Sequence, residues 1–293
     1  MTKSRDIANS TSTLDVDGGT IKLDGNYPVG TGNVALGDTA LDDGSLSGGY
    51  NTAIGNEALT ANTSGSVNVA VGQGTLYLNT TGQSNVAVGG NAMADNTTGN
   101  YNTAIGRYAL TDNTTALNNT AVGYQAGYSN TTGDQNTFVG AEAGDAINTG
   151  RRNTALGMAS LTTDTKGDLS VAVGFGALNG QNFTSSTEAY NTAVGALAGA
   201  AITTGIGNTL IGGLAGDALT DANSNVAIGR EALTSDTLGS RSVAIGQHAL
   251  QVQNFTSATN TYNVAIGYDA GVSVTTGIEN TLIGGLTGDA LTV

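Results

Sequence analysis

Four carboxylates are the strongest candidates for chemistry in this sequence. Paired Asp and Glu side chains cleave glycosidic bonds in most glycoside hydrolases, one as the acid and the other as base or nucleophile. The candidates are Glu142, Asp145, Glu231 and Asp236. Their spacing does not separate them from charges that keep a surface solvated, and we therefore expect no enzyme activity.

Other residue types that catalyse reactions or bind cofactors are sparse. His248 is the only histidine, so a Ser/His/Asp site is possible in one place only. The chain has no cysteine, which excludes disulfides and thiolate zinc sites. Glycine pairs such as Gly213 and Gly216 lack the Lys-Ser/Thr of a nucleotide-binding loop, and Asp42 and Asp43 match no calcium loop. We expect no catalytic residue, no cofactor and no metal site.

These residues belong to a repeat that runs through most of the chain. The pentapeptide Asn-Thr-Ala-Ile-Gly at residues 51–55 recurs in variant forms fifteen times, and Ser170 and Ser242 replace its leading Asn. The intervals between its glycines are eleven of 17 residues, one of 18 and two of 21. A fixed period predicts stacked repeats. β-Branched residues at alternate positions predict one short strand in each repeat.

The second half of each repeat is equally regular. The fourth residue after the corner glycine is usually Leu or Gly and follows Ala, as in Ala58-Leu59 and Ala143-Gly144. A polar turn such as Asn-Thr-Thr-Gly at residues 79–82 often comes next. The short apolar segment between them fits either a strand or a single helical turn. We predict an all-β fold, a parallel β-solenoid of about fifteen 17-residue coils.

Composition agrees with a thin, repetitive core. Of 293 residues, 45 are Gly and only 5% are aromatic, so the available core residues are Ala, Val, Ile and Leu. The net charge of −14 argues against nucleic-acid binding. The only adjacent basic pair, Arg151 and Arg152, is predicted to be solvated in a turn. The sequence shows no signal-peptide core and no run of 18 apolar residues, and we expect no membrane insertion.

The first 30 residues lie outside the repeat. Residues 13–16 and 20–23 resemble two strands joined by a hairpin turn. We divide the chain into an N-terminal attachment segment and cap, residues 1–30, and a repeat shaft, residues 31–293. The candidate residues for docking onto a larger assembly are Lys3, Arg5, Asp6 and Ile7.

Two longer coils come from an internal duplication. Gly246 lies 72 residues after Gly174, and the sequence that begins at Gly174 returns closely from Gly246 onward. Each copy carries a four-residue insertion with a Phe and a following Tyr: Phe183 and Tyr190, then Phe255 and Tyr262. Aromatic side chains on protruding loops could stack on sugar rings of a receptor. Alternatively, the two Phe side chains fold back over the coil beneath, and the sequence leaves both interpretations open.

The motif residues resemble two families. Asn-Val-Ala-Ile-Gly followed by x-x-Ala, at residues 225–232, resembles the head repeats of trimeric autotransporter adhesins. This resemblance implies a left-handed parallel β-roll assembled as a trimer. The forms Asn-Thr-Ala-Val-Gly at residues 191–195 and Asn-Thr-Thr-Gly at residues 130–133 are similar to those of phage tail-fibre and related virion appendage proteins. The resemblance covers about residues 33–293.

Two features favour the second family. An autotransporter has a signal peptide and a membrane-anchoring coiled coil and barrel, and this sequence shows neither. Residues 3–9 are also similar to the short leaders of phage fibre proteins. We predict a structural virion protein, the shaft of a tail fibre or similar appendage that mediates attachment to the host cell surface. A trimeric bacterial adhesin head fragment and a polysaccharide-degrading tailspike are the alternatives.

The expected partners follow from this prediction. They are further copies of the chain in a homotrimer, other virion proteins at the N-terminal segment and at the edge of the last coil, and a glycan or protein of the host surface. In a trimer, the Thr/Val and Ile/Val side chains of the strands would fill either the inside of each coil or the three-fold interface. The sequence does not decide between these two arrangements.

Overall fold

The computed structural model describes Leu14–Val16, Gly19–Ile21 and residues 31–293. This part of the chain contains strands and turns but no helix. Two compact units, Met1–Gln135 and Asn136–Val293, divide the chain. Each unit is built from parallel strands, one for each repeat. The predicted fold class, a parallel β-solenoid of about fifteen coils, is confirmed.

The first two strands precede the solenoid. β1 (Leu14–Val16) and β2 (Gly19–Ile21) pair antiparallel, with Val16 opposite Gly19. The two strands predicted here are therefore present and pair as a hairpin would. Their role as a cap stays a prediction.

The strands of the solenoid follow the pentapeptide. In the first unit they are β3 (Val34–Leu36), β4 (Thr52–Ile54), β5 (Val69–Val71), β6 (Val86–Val88), β7 (Thr103–Ile105) and β8 (Thr120–Val122). In the second unit they are β9 (Thr137–Val139), β10 (Thr154–Leu156), β12 (Val171–Val173), β14 (Thr192–Val194), β15 (Thr209–Ile211), β16 (Val226–Ile228), β18 (Val243–Ile245), β20 (Val264–Ile266) and β21 (Thr281–Ile283). Four two-residue strands accompany the insertions: β11 (Gly167–Asp168), β13 (Thr187–Glu188), β17 (Gly239–Ser240) and β19 (Thr259–Asn260).

Successive strands stack without a change of register. Thr52 lies opposite Val69 in the first unit, and Thr154 lies opposite Val171 in the second. The register also survives a 21-residue coil, because Val171 lies opposite Thr192. Each strand covers only the three central residues of the pentapeptide, since the flanking Asn and Gly belong to the corners.

The two faces of the strands have different environments. Ala53 and Asn51 are fully buried inside the coil. Thr52 is half-buried and Ile54 is exposed on the outer face. The β-branched residues therefore lie outside the coil, which decides one question that the sequence left open. The narrow interior holds Ala because the walls of the coil lie too close for larger side chains in most repeats.

The second apolar segment is neither a strand nor a helical turn. It is a series of turns in which Glu57 and Leu59 have φ values of 59° and 54°. Left-handed backbone at a non-glycine residue costs about 1 kcal/mol or more. Leu59 is fully buried, and burial of a Leu side chain contributes about 1.5–3 kcal/mol, which offsets this cost.

Interior side chains compensate one another in volume. Phe138 takes the place of the strand Ala and is fully buried. The same coil has Gly144 instead of Leu, and a Cβ there would lie 2.4 Å from the Phe138 ring. Leu210 likewise replaces Ala, and Gly216 accompanies it, where a Cβ would lie 2.8 Å from the Leu210 side chain. Gly199 also stands at this position although its own strand carries Ala193, and a Cβ there would lie 2.7 Å from Leu210 of the next coil. Gly therefore replaces Leu both in the coil with the large strand residue and in the coil before it.

The corner glycines stack on one another. Gly106 has a φ of 142°, and a Cβ on it would lie 2.2 Å from the carbonyl oxygen of Gly123 in the next coil. Both the backbone conformation and the close approach require glycine.

Candidate functional site

Buried asparagines hold the coils together and set the positions of the surface loops. Asn68 is fully buried, and its Nδ2 donates to the carbonyl oxygen of Gly82 across the coil at 2.8 Å. Its Oδ1 accepts the backbone N–H of Asn85 in the next coil at 3.0 Å. Each amide therefore links the two sides of its own coil and the coil that follows. The sequence contained the recurring Asn but did not reveal this role.

A different polar network replaces the asparagine beneath each insertion. Gln181 Nε2 donates to Asp164 Oδ2 at 2.6 Å and to Ser170 Oγ at 2.9 Å. Its Oε1 accepts from Asn191 Nδ2 at 2.9 Å. All four side chains are fully buried. The second copy repeats the network with Asp236, Gln253, Ser242 and Asn263. This explains why Ser replaces Asn at those two repeats only.

The insertions themselves form short loops beside this network. In the first copy, β11 and β13 pair in parallel, and in the second copy β17 and β19 do so. Phe183 N–H donates to Asp164 Oδ1 at 3.0 Å, which draws the start of the loop inward.

Phe183 is only 5% exposed and Phe255 only 8%. Of the two positions that the sequence left open, the rings therefore occupy the one folded back over the coil, and contact of these loops with a receptor stays a prediction.

The tyrosines at the ends of the insertions lie on the surface. Tyr190 is 56% exposed and Tyr262 is 48% exposed. The Tyr190 hydroxyl donates to Glu188 Oε2 at 2.8 Å, and this hydrogen bond is the main cause of a raised Tyr190 pKa. Tyr262 instead accepts from Arg241 Nη1 at 2.6 Å. Contact of either tyrosine with a receptor stays a prediction.

A polar cleft of about 170 Å³ lies beside the first insertion. Its lining residues are Arg151, Arg152, Asp168, Leu169, Ser186 and Glu188. Asp168 organises it, since Oδ1 accepts the Arg151 backbone N–H at 2.7 Å and Oδ2 accepts the Ser186 hydroxyl at 2.9 Å. The arginine pair that the sequence placed in a solvated turn thus stands at the wall of a cleft, with both side chains exposed.

The four candidate carboxylates do not form a common site. Asp236 is fully buried and accepts from Gly239 N–H and Gln253 Nε2, so it belongs to the polar network of the interior. Glu231 pairs with Arg230 at 2.6 Å.

The carboxyl of Asp145 is affected by its surroundings, including the charge of Glu142. Burial raises the pKa of the half-buried Asp145 carboxyl, the hydroxyl of Thr162 partly opposes that change, and the charge of Glu142 adds to it.

His248 lies in a line of charged side chains from successive coils. Its Nδ1 is 2.9 Å from Asp269 Oδ1, and its Nε2 is 3.3 Å from Glu231 Oε2 and 3.2 Å from Arg230 Nη2. Both ring nitrogens therefore face other partners, which leaves neither to activate a hydroxyl nucleophile. In the described part of the chain, no cluster of three or more His, Cys, Asp or Glu residues could hold a metal ion.

The candidate docking residues Lys3, Arg5, Asp6 and Ile7 lie outside the described residues. Within residues 31–293 and the two short strands before them, no helix is long and apolar enough to cross a membrane.

The fold and its surface loops define a class, the β-solenoid repeat proteins. No family model matches this chain, and neither a curated protein nor a solved structure matches it.

Two features were missed by sequence reasoning. The sequence does contain a sign of the buried Asp–Gln–Ser–Asn network, because Ser replaces Asn only in repeats that also carry Asp and Gln at corresponding positions. It also contains a sign of the cleft, because the two duplicated segments differ in charge at the positions that line it.

Proposed function

We propose that this chain is a structural virion protein, the shaft of a phage tail fibre or similar appendage that attaches to the host cell surface. One observation carries the proposal: the solenoid presents a regular apolar outer face together with loops that interrupt it at defined repeats. A scaffold of this kind can be extended coil by coil and can hold several contact loops in fixed positions. The motif resemblance to phage appendage proteins supports the same role.

The outer face of the strands supports self-assembly. Ile54 and Ile105 of the first unit are 37% and 41% exposed, and Leu156 and Ile211 of the second unit are exposed to a similar degree. Contiguous apolar surface on a soluble protein marks a binding surface. A partner that covers this face along its length needs apolar side chains at the same strand-to-strand spacing. A second copy of this chain has that spacing. We propose a homotrimer through this face, since a trimer is what the adhesin-head resemblance implies.

Assembly would also serve attachment. Three copies present each loop three times, and several weak contacts that form together bind much more tightly than one. The shaft therefore acts by rigid positioning and multivalency and needs no chemical step. The N-terminal segment is proposed to join the shaft to other virion proteins.

Two measurements test the proposal. The first is the mass of the purified chain in solution, compared with that of an Ile54→Asp/Ile105→Asp variant. We expect a trimeric mass for the parent and a monomeric mass for the variant, because buried carboxylates oppose association. The matched control is Tyr77→Asp/Leu78→Asp, which adds the same charges at exposed apolar residues away from the strand face. A monomeric parent, or an equal effect of both variants, would contradict the assembly.

The second measurement concerns location. Antibodies against the purified chain should label a projecting appendage on virions in electron micrographs and should block adsorption to host cells. Labelling of a bacterial outer surface in uninfected cells would favour the adhesin alternative instead.

A further inference from the structure

We propose that the cleft beside the first insertion binds a carboxylate-bearing sugar, a uronic acid or similar acidic residue of a glycan. The inference rests on the proposed attachment function and names its ligand class. The groups that would bind the sugar are the guanidinium groups of Arg151 and Arg152, the polar side chains of Asp168, Ser186 and Glu188, and the ring of Tyr190.

The internal duplication supplies a comparison within one chain. The second insertion forms the same pair of short parallel strands as the first. At the positions of Arg151, Arg152, Asp168, Ser186 and Glu188, however, it has other residues. They are Asn223, Ser224, Ser240, Ala258 and Asn260. At the sixth lining position, that of Leu169, the second copy carries Arg241, which donates to the Tyr262 hydroxyl. The loop therefore folds without the arginine pair and the two carboxylates, and their presence in the first copy calls for an explanation other than folding.

The distribution of charge in the chain makes this cluster unusual. Only nine of 293 residues are Lys or Arg, and the net charge is −14. Two of these nine stand next to each other at the wall of one cleft. A guanidinium group donates two parallel hydrogen bonds to a carboxylate, which gives both affinity and a defined orientation. Arg151 and Arg152 are the only adjacent pair of basic residues in the sequence, so no other two neighbouring residues offer an acidic ligand two guanidinium groups.

The acids in the cleft determine what kind of anion fits. Asp168 and Glu188 balance the two arginines, so the site as a whole is neutral. The two carboxylates accept hydrogen bonds from hydroxyls and repel every anion, a phosphate dianion or a polyanion more strongly than a single carboxylate. A ligand with one negative charge beside the guanidinium groups and several hydroxyl groups beside the carboxylates therefore fits best. A single acidic sugar meets these conditions.

Size and aromatic contact agree with a sugar. The cleft, at about 170 Å³, is smaller than the roughly 300–1,000 Å³ typical of sites for drug-sized ligands, and it suits one ring of a longer glycan. Tyr190 is exposed, and its hydroxyl is bound by Glu188 of the cleft wall. That hydrogen bond holds the ring at the edge of the cleft, where its face can contact the apolar face of a sugar.

The test is binding of D-glucuronic acid to the full chain, measured by saturation-transfer NMR and calorimetry. The comparison probes are D-glucose, which lacks the charge, and glucose 6-phosphate, which carries a larger one. The test variant, Arg151→Asn/Arg152→Ser, installs the residues of the second copy. The control variant, Arg107→Asn/Arg230→Ser, removes two arginines that lie outside both insertions. Thermal melting of both variants checks folding, and the second copy shows that the loop forms without the pair.

We expect glucuronic acid to bind more tightly than either comparison probe. The test variant should weaken its binding about tenfold or more, the effect of losing charged hydrogen bonds, and the control variant should bind as the parent does. Equal binding of glucose, equal loss in both variants, or no binding of glucuronic acid would each overturn the proposal.

The outcomes also separate this inference from the proposed function. If the chain is found on virions but glucuronic acid does not bind, only the ligand assignment fails. If glucuronic acid binds at the cleft but the chain is absent from virions, the site stands and the virion role fails.

Discussion

Replacement of one buried asparagine, Asn85→Ala, tests whether the interior amides hold successive coils together. Asn85 is fully buried. Its Nδ2 donates to the carbonyl oxygen of Gly99 at 2.8 Å, and its Oδ1 accepts the backbone N–H of Asn102 at 3.0 Å. Alanine removes both interactions and offers no polar atom in their place. The Asn102 N–H is then buried without a partner, whereas the Gly99 oxygen still accepts from Asn96 Nδ2 at 3.2 Å.

The expected cost follows from one orphaned donor and one lost hydrogen bond. A buried donor without a partner costs about 1–3 kcal/mol and a lost hydrogen bond about 0.5–1.5 kcal/mol, so the free energy of unfolding should fall by roughly 1.5–4.5 kcal/mol. The matched control is Asn56→Ala, because Asn56 is exposed and makes only one long hydrogen bond, of 3.4 Å, to Asp38. A surface change of this kind is expected to alter stability by no more than about 0.5 kcal/mol.

Hydrogen exchange measured by mass spectrometry is the appropriate assay, because repeat arrays open locally and need not unfold in one step. In Asn85→Ala, the amide of Asn102 should exchange about tenfold faster or more, since every 1.4 kcal/mol changes an equilibrium tenfold. Amides several coils away should change much less. If Asn102 keeps its protection, or if Asn56→Ala has the same effect, the stabilising role of the amide ladder is refuted.

Three further predictions concern single positions. Gly106→Ala should lower the melting temperature, since it costs more than about 1 kcal/mol through a left-handed φ of 142° and a contact 2.2 Å from a neighbouring carbonyl oxygen. Phe183→Ala should lower the free energy of unfolding in urea by about 3–5 kcal/mol, because the ring is buried. Asp217→Asn should stabilise the fold at neutral pH, because burial raises the pKa of this carboxyl, while Thr234 partly opposes the change and Glu231 adds to it. Below pH 3.8 the Asp217 carboxyl is protonated in both the folded and the unfolded chain, so the parent should be as stable as the variant. As pH rises, the parent must bury a charged carboxylate and loses stability, whereas the amide side chain of the variant stays neutral. Melting curves at several pH values should therefore show the gain of the variant only above about pH 3.8.

Each of these predictions has a control in the same chain. Gly90→Ala meets no atom closer than 3.9 Å and should melt close to the parent, and an equal loss in both glycine variants would contradict the steric argument. Phe175 is 50% exposed, so Phe175→Ala should cost far less than the buried Phe. Asp38→Asn removes an exposed carboxylate. If it reproduces the pH-dependent gain, burial is not the cause.

The sequence predicted the architecture well because the repeat is a direct consequence of stacking. A strand that pairs above and below must recur with a constant spacing, and the pentapeptide shows that spacing plainly. The direction of its side chains was harder to predict. Thr52 and Ile54 are the more hydrophobic and β-branched pair, yet Ala53 and Asn51 face the interior, because the narrow coil admits only small or hydrogen-bonded side chains.

The second segment and the candidate site were predicted less completely. Apolar periodicity over four residues does not distinguish a strand from a helical turn, and the left-handed φ of Leu59 is not visible in its residue type. The sequence located the insertions but allowed the Phe183 ring to lie either on the surface or against the coil. The hydrogen bond from Phe183 N–H to Asp164 and the burial of the ring distinguish these two positions. Arg151 and Arg152 looked isolated because Asp168 and Glu188 are distant in sequence and meet them only when coils stack.

The unchanged register across the longer coils has a consequence for how such a chain can diversify. Val171 still lies opposite Thr192, and Val243 opposite Val264, although four extra residues intervene in each case. New segments can therefore be inserted at that turn while the neighbouring strands keep their pairing. Each doubling of the length of a flexible loop costs only about 0.6 kcal/mol of closure entropy. Specificity for a new surface could evolve, or be engineered, one turn at a time on an unaltered framework.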